Sequence, residues 1–146
     1  MRGYFGIGIF HGKTAENIGT LWRSANIFGA DFIFTIGKRY AHQCTDTMAT
    51  PKHIPLFEYK DWNDFFSHTP YNCPVVAVEL DKRARPIKNY VHPERCIYLL
   101  GAEDHGIPPE VLDKCQEVVQ LPGDYCLNVS TAGSIVMYDR IIKEKE

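Results

Sequence analysis

The sequence has little that would tie the protein to a membrane or to a broad nucleic-acid surface. None of its apolar runs is long enough to span a bilayer, and residues 1–4 lack the hydrophobic core of a signal peptide. Positive charge is not in excess, since 16 Lys and Arg against 18 Asp and Glu give a net charge of −2. We therefore expect a cytoplasmic protein with no membrane partner, folded as one domain over residues 1–146.

Patterns typical of metal sites and disulfide frameworks are missing too. The five cysteines are odd in number and form no Cys-x-x-Cys pair, so reduced thiols are expected. The six histidines form neither a His-x-x-x-His pair nor a cluster with cysteine, so no metal site is expected.

Several common catalytic motifs are also absent. There is no Gly-x-x-x-x-Gly-Lys-Ser/Thr phosphate loop and no Gly-x-Ser-x-Gly nucleophile elbow. Gly6 and Gly8 are similar to a dinucleotide fingerprint, but they lie inside a predicted strand and the third glycine, Gly12, comes one residue late. Cys126 beside a helix start is a candidate thiol nucleophile with a lowered pKa, although the sequence shows no base to activate it.

What the sequence does contain is a regular alternation of strands and helices. The strands are continuously apolar, which is typical of a parallel sheet with helices on both faces, an α/β fold. The predicted strands are 4–10, 31–36, 55–59, 74–80, 96–100 and 118–121. The predicted helices are 17–28, a short one near 45–49, one capped by Asp61, 108–115 and 130–143, with a basic loop at 81–93. Ligands bind beyond the carboxyl ends of such strands. The glycine-rich, polar loops predicted there are 11–17, 101–107 and 122–128.

The stretch 121–135 combines a Pro-Gly turn, a polar loop and a helix start. Asn128 and Ser130 carry short hydrogen-bonding side chains where backbone donors of the helix are still unpaired. The small residues 131–134 allow this helix to approach another backbone closely. Such a loop is suited to binding a ligand through main-chain groups, and an ordinary capped helix is the alternative.

Three blocks in a fixed order carry a resemblance to a known family. The block 17–30 has an Asn, a Gly two residues later, an Arg six after the Asn, and then Phe-Gly-Ala. The block 99–108 has an apolar pair followed by Gly101, Glu103 and Gly106, and the third block has Leu-Asn-Val-Ser entering a helix. Together, over residues 17–138, they resemble the SpoU (TrmH-like) branch of the SPOUT superfamily. Its members transfer methyl from S-adenosylmethionine to a ribose 2′-hydroxyl of tRNA or rRNA.

The resemblance implies a C-terminal deep trefoil knot, which is an exception to the rule that chains are unknotted. It also implies that loops of the knot bind S-adenosylmethionine, that RNA is the substrate, and that the site is completed across a homodimer. The chain is close in length to minimal members without an added RNA-binding domain, which favours tRNA over rRNA. No metal is required.

The resemblance also assigns roles to residues. The main-chain contacts to the cofactor are assigned to Val78, Leu100, Gly101, Leu121, Cys126 and Leu127. Ser130 is grouped with these residues and is expected to cap the last helix. The catalytic group consists of Asn17, Arg23, Glu103 and Asn128. The predicted contacts to the RNA backbone, which make binding salt-sensitive, come from Arg2, Lys38, Arg39, Lys82, Arg83 and Arg85.

Arg23 is the sharpest of these predictions. It lies almost opposite the apolar stripe of its helix, so a solvated arginine is the alternative. The family's proposed mechanism uses this arginine as a base, but a guanidinium is very hard to deprotonate. We therefore predict that Arg23 positions the RNA phosphate and stabilises the developing alkoxide, with Asn17 supporting its placement. A surface carboxylate at Glu103 and a solvated basic run at 82–85 are the corresponding alternatives.

The sequence departs from the family pattern in the third block. Only residues 123–125 separate Pro122 from Cys126, whereas the family usually has a longer loop, and Cys126 stands where serine is typical. A non-catalytic RNA- or nucleotide-binding module on the same fold is therefore the rival class. Methylation of a base rather than ribose belongs to sister families whose motifs fit less well.

Overall fold

In the part of the chain that is described, seven parallel strands form one sheet. The structure, a computed structural model, describes residues 3–10, 15–37, 46, 49–101 and 106–144. The strands are β1 (Tyr4–Phe10), β2 (Phe32–Ile36), β3 (Leu56–Tyr59), β4 (Val75–Val78), β5 (Arg85–Pro86), β6 (Arg95–Leu100) and β7 (Glu117–Gln120). The helices are α1 (Ala15–Phe28), α2 (Trp62–Ser67), α3 (Pro109–Leu112) and α4 (Val129–Glu144).

The strand order is β3-β2-β1-β6-β4-β7-β5, and every pairing is parallel. Helices cover both faces. Leu21 of α1 and Val136 of α4 belong to one core with Ile7, whereas Phe65 of α2 and Val111 of α3 belong to a second core with Leu99. Burial on both faces explains why the central strands are apolar without alternation, and it confirms the predicted α/β class. No helix within the described ranges is long and apolar enough to cross a membrane.

Small residues bring α1 and α4 close together, as the stretch 131–134 predicted. A Cβ added to Gly133 would lie 2.5 Å from Cδ1 of Leu21. The Ser134 hydroxyl donates to the Ser24 hydroxyl at 2.9 Å, which joins the two helices by a polar contact. The last helix is therefore fixed against the first one.

The predicted strand 74–80 ends at Val78, and the predicted elements differ from the structure in two further places. The helix predicted to reach Cys115 ends at Leu112, because the amides of Lys114 and Cys115 bond to carbonyls only three residues back and turn the chain toward β7. The region predicted as a basic loop contains β5 and a 3-10 turn at Ile87–Asn89. The cap at Asp61 is confirmed, since its Oδ1 accepts from the Asp64 amide at 2.8 Å. The short helix near 45–49 lies mostly outside the described residues.

The C-terminal strands have an unusual connectivity. β7 pairs between β4 and β5, although residues 79–84 connect those two strands directly. This connection therefore passes the end of β7, where the chain leaves toward α4, which packs on α1. The trefoil knot is what the sequence resemblance implies.

Candidate active site

A pocket of about 500 Å³ lies at the carboxyl edge of the sheet. Its walls come from the loops that follow β4, β6 and β7, which are three neighbouring strands. Parallel strands all end at the same edge, so segments distant in sequence converge there. The volume falls within the range of small-molecule sites, about 300–1,000 Å³.

Most residues predicted to contact the cofactor line this pocket. The ones that do are Val78, Leu100, Gly101, Leu121, Cys126 and Leu127, and Asn128 of the predicted catalytic group joins them. The second and third sequence blocks therefore meet at one cavity, as the resemblance implied. Their individual roles stay predictions.

Two glycines allow the loop after β6 to fold against the pocket. A Cβ on Gly101 would lie 2.6 Å from the carbonyl carbon of Gly106 and 2.7 Å from the amide nitrogen of Ile107. Gly106 has a φ of +64°, a conformation that L side chains rarely adopt, and a Cβ there would lie 2.5 Å from Oε2 of Glu79. Main-chain groups rather than side chains therefore form this wall.

The start of α4 is capped by Asn128 and not by Ser130, which corrects the prediction. Oδ1 of Asn128 accepts from the amides of Ser130 at 3.0 Å and Thr131 at 3.3 Å. Ser130 already lies in the first turn, and its hydroxyl donates to the same oxygen at 2.7 Å. Asparagine is preferred at the position just before the first helical residue, so Asn128 caps the helix two residues earlier than predicted. Ser130 is buried behind Asn128 and is not among the pocket-lining residues.

The first block reaches the pocket through Asn17 but not through Arg23. Nδ2 of Asn128 donates to Oδ1 of Asn17 at 2.9 Å, which ties the beginning of α1 to a pocket-lining residue. Arg23 lies on the exposed side of α1 and is absent from the described lining of the pocket. The structure therefore places two of the predicted catalytic residues together and leaves Arg23 on the outer surface of its helix.

The thiol of Cys126 faces a carboxylate rather than a histidine or a positive charge that would stabilise the thiolate. Its Sγ donates to Oε1 of Glu79 at 3.6 Å. Partial burial raises the pKa of the Cys126 thiol, and the negative charge of Glu79 raises it further. The lowered pKa expected beside a helix start is therefore wrong. Because a protonated thiol is a poor nucleophile, Cys126 is not suited to nucleophilic catalysis at neutral pH.

The predicted basic run, residues 82–85, lies beside the pocket in the connection between β4 and β5 and at the first residue of β5. Arg83 is held by two carboxylates, with Nε at 2.9 Å from Asp81 and Nη1 at 2.7 Å from Asp113. Lys82 and Arg85 are exposed. Four further predictions, Glu103, Arg2, Lys38 and Arg39, lie outside the described residues.

Sequence reasoning missed several lining residues. These are Glu79, Leu80, Gly106, Tyr125, Val129 and Ala132. Glu79 had a usable signal, since it is a lone carboxylate at the end of an apolar run. The residue that follows a parallel strand lies at the carboxyl edge of the sheet, where ligands bind. Tyr125 is an aromatic side chain that is 87% exposed beside the pocket.

The parallel sheet and the glycine-lined pocket at its carboxyl edge define an α/β protein with a candidate small-ligand site formed by loops at the strand ends. The chain belongs to the SpoU rRNA Methylase family, whose sequence profile matches residues 6–138. This confirms the resemblance carried by the three sequence blocks.

Individual relatives agree with this assignment. The chain is 26% identical over 136 residues to the tRNA (guanosine(18)-2′-O)-methyltransferase TARBP1 of Mus musculus, and the match covers 84% of this chain but 8% of that protein. The AdoMet-bound rRNA methyltransferase from Sinorhizobium meliloti superposes with a TM-score of 0.86 at 21% identity, covering 98% of this chain and 57% of that one. A structure solved for the 2-OH methylation of C/U34 on tRNA gives a TM-score of 0.83 at 18% identity and covers 99% of both chains. These structural likenesses establish the fold.

Proposed function

We propose that the protein transfers the methyl group of S-adenosylmethionine to a ribose 2′-hydroxyl of RNA. The observation that carries the proposal is the pocket at the carboxyl edge, where the second and third family blocks converge. Family membership supplies the reaction class. The proposed substrate is tRNA, as in the name of the relative TARBP1, and rRNA is the alternative.

The residues present fit an adenosine-containing cofactor. Gly101 and Gly106 line the cavity without side chains of their own, and their small size lets the loop after β6 fold closely on itself and on Glu79. Apolar walls from Val78, Leu100 and Leu121 suit the faces of a purine ring. The bound cofactor supplies an electrophilic methyl group on a sulfonium, so no metal is needed.

The protein's own residues would contribute positioning and charge stabilisation. Arg23 would hold an RNA phosphate and stabilise the alkoxide that develops as the 2′-hydroxyl loses its proton. Asn128 and Asn17, joined by their 2.9 Å hydrogen bond, would fix the loop that faces the substrate. In-line placement of the hydroxyl and exclusion of water then supply the remaining acceleration. Glu103 keeps its proposed role of orienting the 101–107 loop.

RNA binding is proposed to use the basic connection beside the pocket. Lys82 and Arg85 are exposed and suited to phosphate contacts, while Arg83 is already paired with Asp81 and Asp113. Each phosphate contact releases counterions, so RNA affinity should fall steeply with salt. Arg2, Lys38 and Arg39 complete the proposed set.

A homodimer is proposed through the outer face of α4. Ile135, Tyr138 and Ile142 recur at helical spacing on that face and are 38–56% exposed. The end of α1 adjoins them, since the Phe28 ring packs against Tyr138 at 6.5 Å, and Ile27 there is 61% exposed. A second copy of the chain is the proposed partner for this face. Arg23 lies outside the pocket of its own chain, and in a dimer the Arg23 of one copy would lie at the pocket of the other.

The deciding experiment for the reaction is labelled methyl transfer from S-adenosylmethionine to total RNA from a strain that lacks the gene. We expect incorporation into one RNA class, followed by mapping of a single 2′-O-methyl site. Calorimetry with S-adenosylmethionine tests the rival module independently, because RNA binding without detectable cofactor binding would favour it. Incorporation into a base would instead place the protein with the sister families.

The dimer is tested by light scattering on Ile135→Glu. We expect a dimeric wild type and a monomeric variant, since a carboxylate would be buried without a partner in the interface. Tyr71→Glu is the control, because Tyr71 is 93% exposed and lies in the loop between α2 and β4. A monomeric wild type would contradict the proposal.

A further inference from the structure

The pocket contains one carboxylate whose charge has no cationic partner among the described residues. Glu79 follows the last residue of β4 and lies in the pocket wall. The other described residues that line the cavity are apolar or neutral, from Val78 and Leu100 through Asn128 to Ala132. Glu79 therefore sets the sign of the charge in this part of the pocket.

Neutral donors from three separate segments fix the carboxylate. Oε2 accepts from the amide of Ile107 at 3.0 Å, and Oε1 accepts from the amide of Leu80 at 3.1 Å. The Cys126 thiol donates to Oε1 at 3.6 Å. Gly106 leaves the space that Oε2 occupies, because a Cβ there would come within 2.5 Å of it. The protein thus orients the carboxylate without cancelling its charge.

A carboxylate held in this way favours a cationic ligand. At an effective dielectric constant of about 20, opposite unit charges about 4 Å apart attract by about 4 kcal/mol, and the attraction falls only as the inverse of the distance. A half-buried charge without a counter-ion is costly for the folded protein. The cost is recovered when a ligand brings a positive charge into the pocket.

We propose that Glu79 is the counter-charge for the sulfonium cofactor and makes the pocket discriminate S-adenosylmethionine from S-adenosylhomocysteine. This inference rests on the proposed function. In the transfer the 2′-oxygen bonds to the methyl carbon, the carbon–sulfur bond breaks with its electron pair remaining on sulfur, and the hydroxyl proton goes to solvent. The cationic sulfonium thereby becomes a neutral thioether. Product and substrate differ by one methyl group and one positive charge, so Glu79 holds the substrate cofactor and weakens retention of the product.

The experiment is calorimetric titration of wild type, Glu79→Gln and Glu79→Asp with three ligands. These are S-adenosylmethionine, S-adenosylhomocysteine and sinefungin, which carries an ammonium group in place of the sulfonium. We expect Glu79→Gln to lower affinity for the two cationic ligands about tenfold more than for S-adenosylhomocysteine, a difference of about 1.4 kcal/mol. Glu79→Asp keeps the charge and should keep the preference. Glu110→Gln is the matched control, since Glu110 is exposed on α3 and does not line the pocket.

The ratio of affinities separates this role from mere support of the loops. Loosened loops weaken all three ligands equally, so an equal loss in Glu79→Gln would overturn the inference. A wild type that binds none of the ligands would overturn the proposed function itself. A wild type that binds them while Glu79→Gln leaves the ratio unchanged would overturn only the role of Glu79.

Discussion

Nδ2 of Asn128 donates a hydrogen bond to Oδ1 of Asn17 at 2.9 Å, across 111 positions of sequence. Asn17 lies in the first turn of α1, and Asn128 immediately precedes α4. The side-chain oxygen of Asn128, Oδ1, accepts hydrogen bonds from the backbone amides of Ser130 and Thr131. One side chain therefore caps the last helix and ties it to the first helix at the rim of the pocket.

The cap contribution of Asn128 can be isolated by two substitutions. Asn128→Ala loses the acceptor for the first-turn amides and should lower the free energy of unfolding by about 1 kcal/mol. Asn128→Asp keeps an acceptor, favoured by the positive end of the helix dipole, and should stay near the stability of the wild type. Urea unfolding measures both. Equal stability of the two variants would show that the cap contributes nothing measurable.

The two asparagines illustrate what the sequence could and could not predict. Each was recognisable as a helix-start residue from its own neighbours, and the family blocks placed both in the catalytic group. Their contact depends on the packing of α1 against α4, which the close approach at Gly133 allows. Local patterns predict elements, whereas a contact across the whole chain needs the topology.

The elements that the sequence missed were short or carried no pattern. β5 is two exposed residues, Arg85–Pro86, and has neither an apolar run nor alternation. Glu79 was enclosed in the predicted strand 74–80, so its place just after the end of β4 was not assigned, although a lone carboxylate closing an apolar run was a usable signal. The central strands were predictable because burial on both faces requires continuous apolar sequence.

Arg23 should affect methyl transfer without affecting cofactor binding. Its side chain is exposed on α1 and is not part of the described pocket lining, so Arg23→Ala should fold and bind S-adenosylmethionine normally. We expect kcat to fall about 100-fold, in the range typical for loss of one charge-stabilising donor, about 10²–10³. Arg23→Lys keeps the charge but not the paired donors, so it should recover activity only in part.

Single-turnover methylation with saturating cofactor measures this effect. Lys60→Ala is the control for loss of an exposed positive charge, since Lys60 lies between β3 and α2. Full activity of Arg23→Ala would contradict the catalytic role and show that Arg23 is simply a solvated residue.

Cys126 should behave as a protonated thiol. Partial burial and the charge of Glu79 raise its pKa, so the thiolate is scarce at about pH 7 and grows only in alkaline solution. We expect slow alkylation of Cys126 by iodoacetamide at neutral pH, accelerating steeply as the pH rises, when the labelled peptide is followed by mass spectrometry. The same peptide in urea provides the control, because unfolding removes both causes of the shift.

Cys126→Ser tests the chemical role of the thiol directly. Serine keeps a donor for Glu79, and methyl transfer needs no sulfur nucleophile, so turnover should persist. Rapid alkylation at neutral pH together with loss of turnover in Cys126→Ser would restore the nucleophile hypothesis.

His92 should make the free energy of unfolding depend on pH. Its ring lies between the Tyr98 hydroxyl at 2.6 Å and Oδ2 of Asp139 at 2.7 Å, and its side chain is only 4% exposed. Burial lowers the pKa of His92 below the ordinary value of 6.5, although Asp139 opposes the shift, and nearby Lys143 and Arg140 lower the pKa further. His92 therefore stays neutral in the folded protein at a pH where the unfolded chain takes up a proton.

The sign of the pH effect follows from this difference in bound protons. Above 6.5 neither state protonates His92, so its contribution to stability is fully present. As the pH falls below that value, the unfolded state binds more protons and stability is lost until the folded pKa is passed. Urea unfolding at about pH 8 and about pH 5 should show a smaller decrease for His92→Gln than for wild type. His68→Gln, which changes an exposed histidine, should keep the wild-type decrease. If His92→Gln also keeps it, the pH dependence arises from other groups.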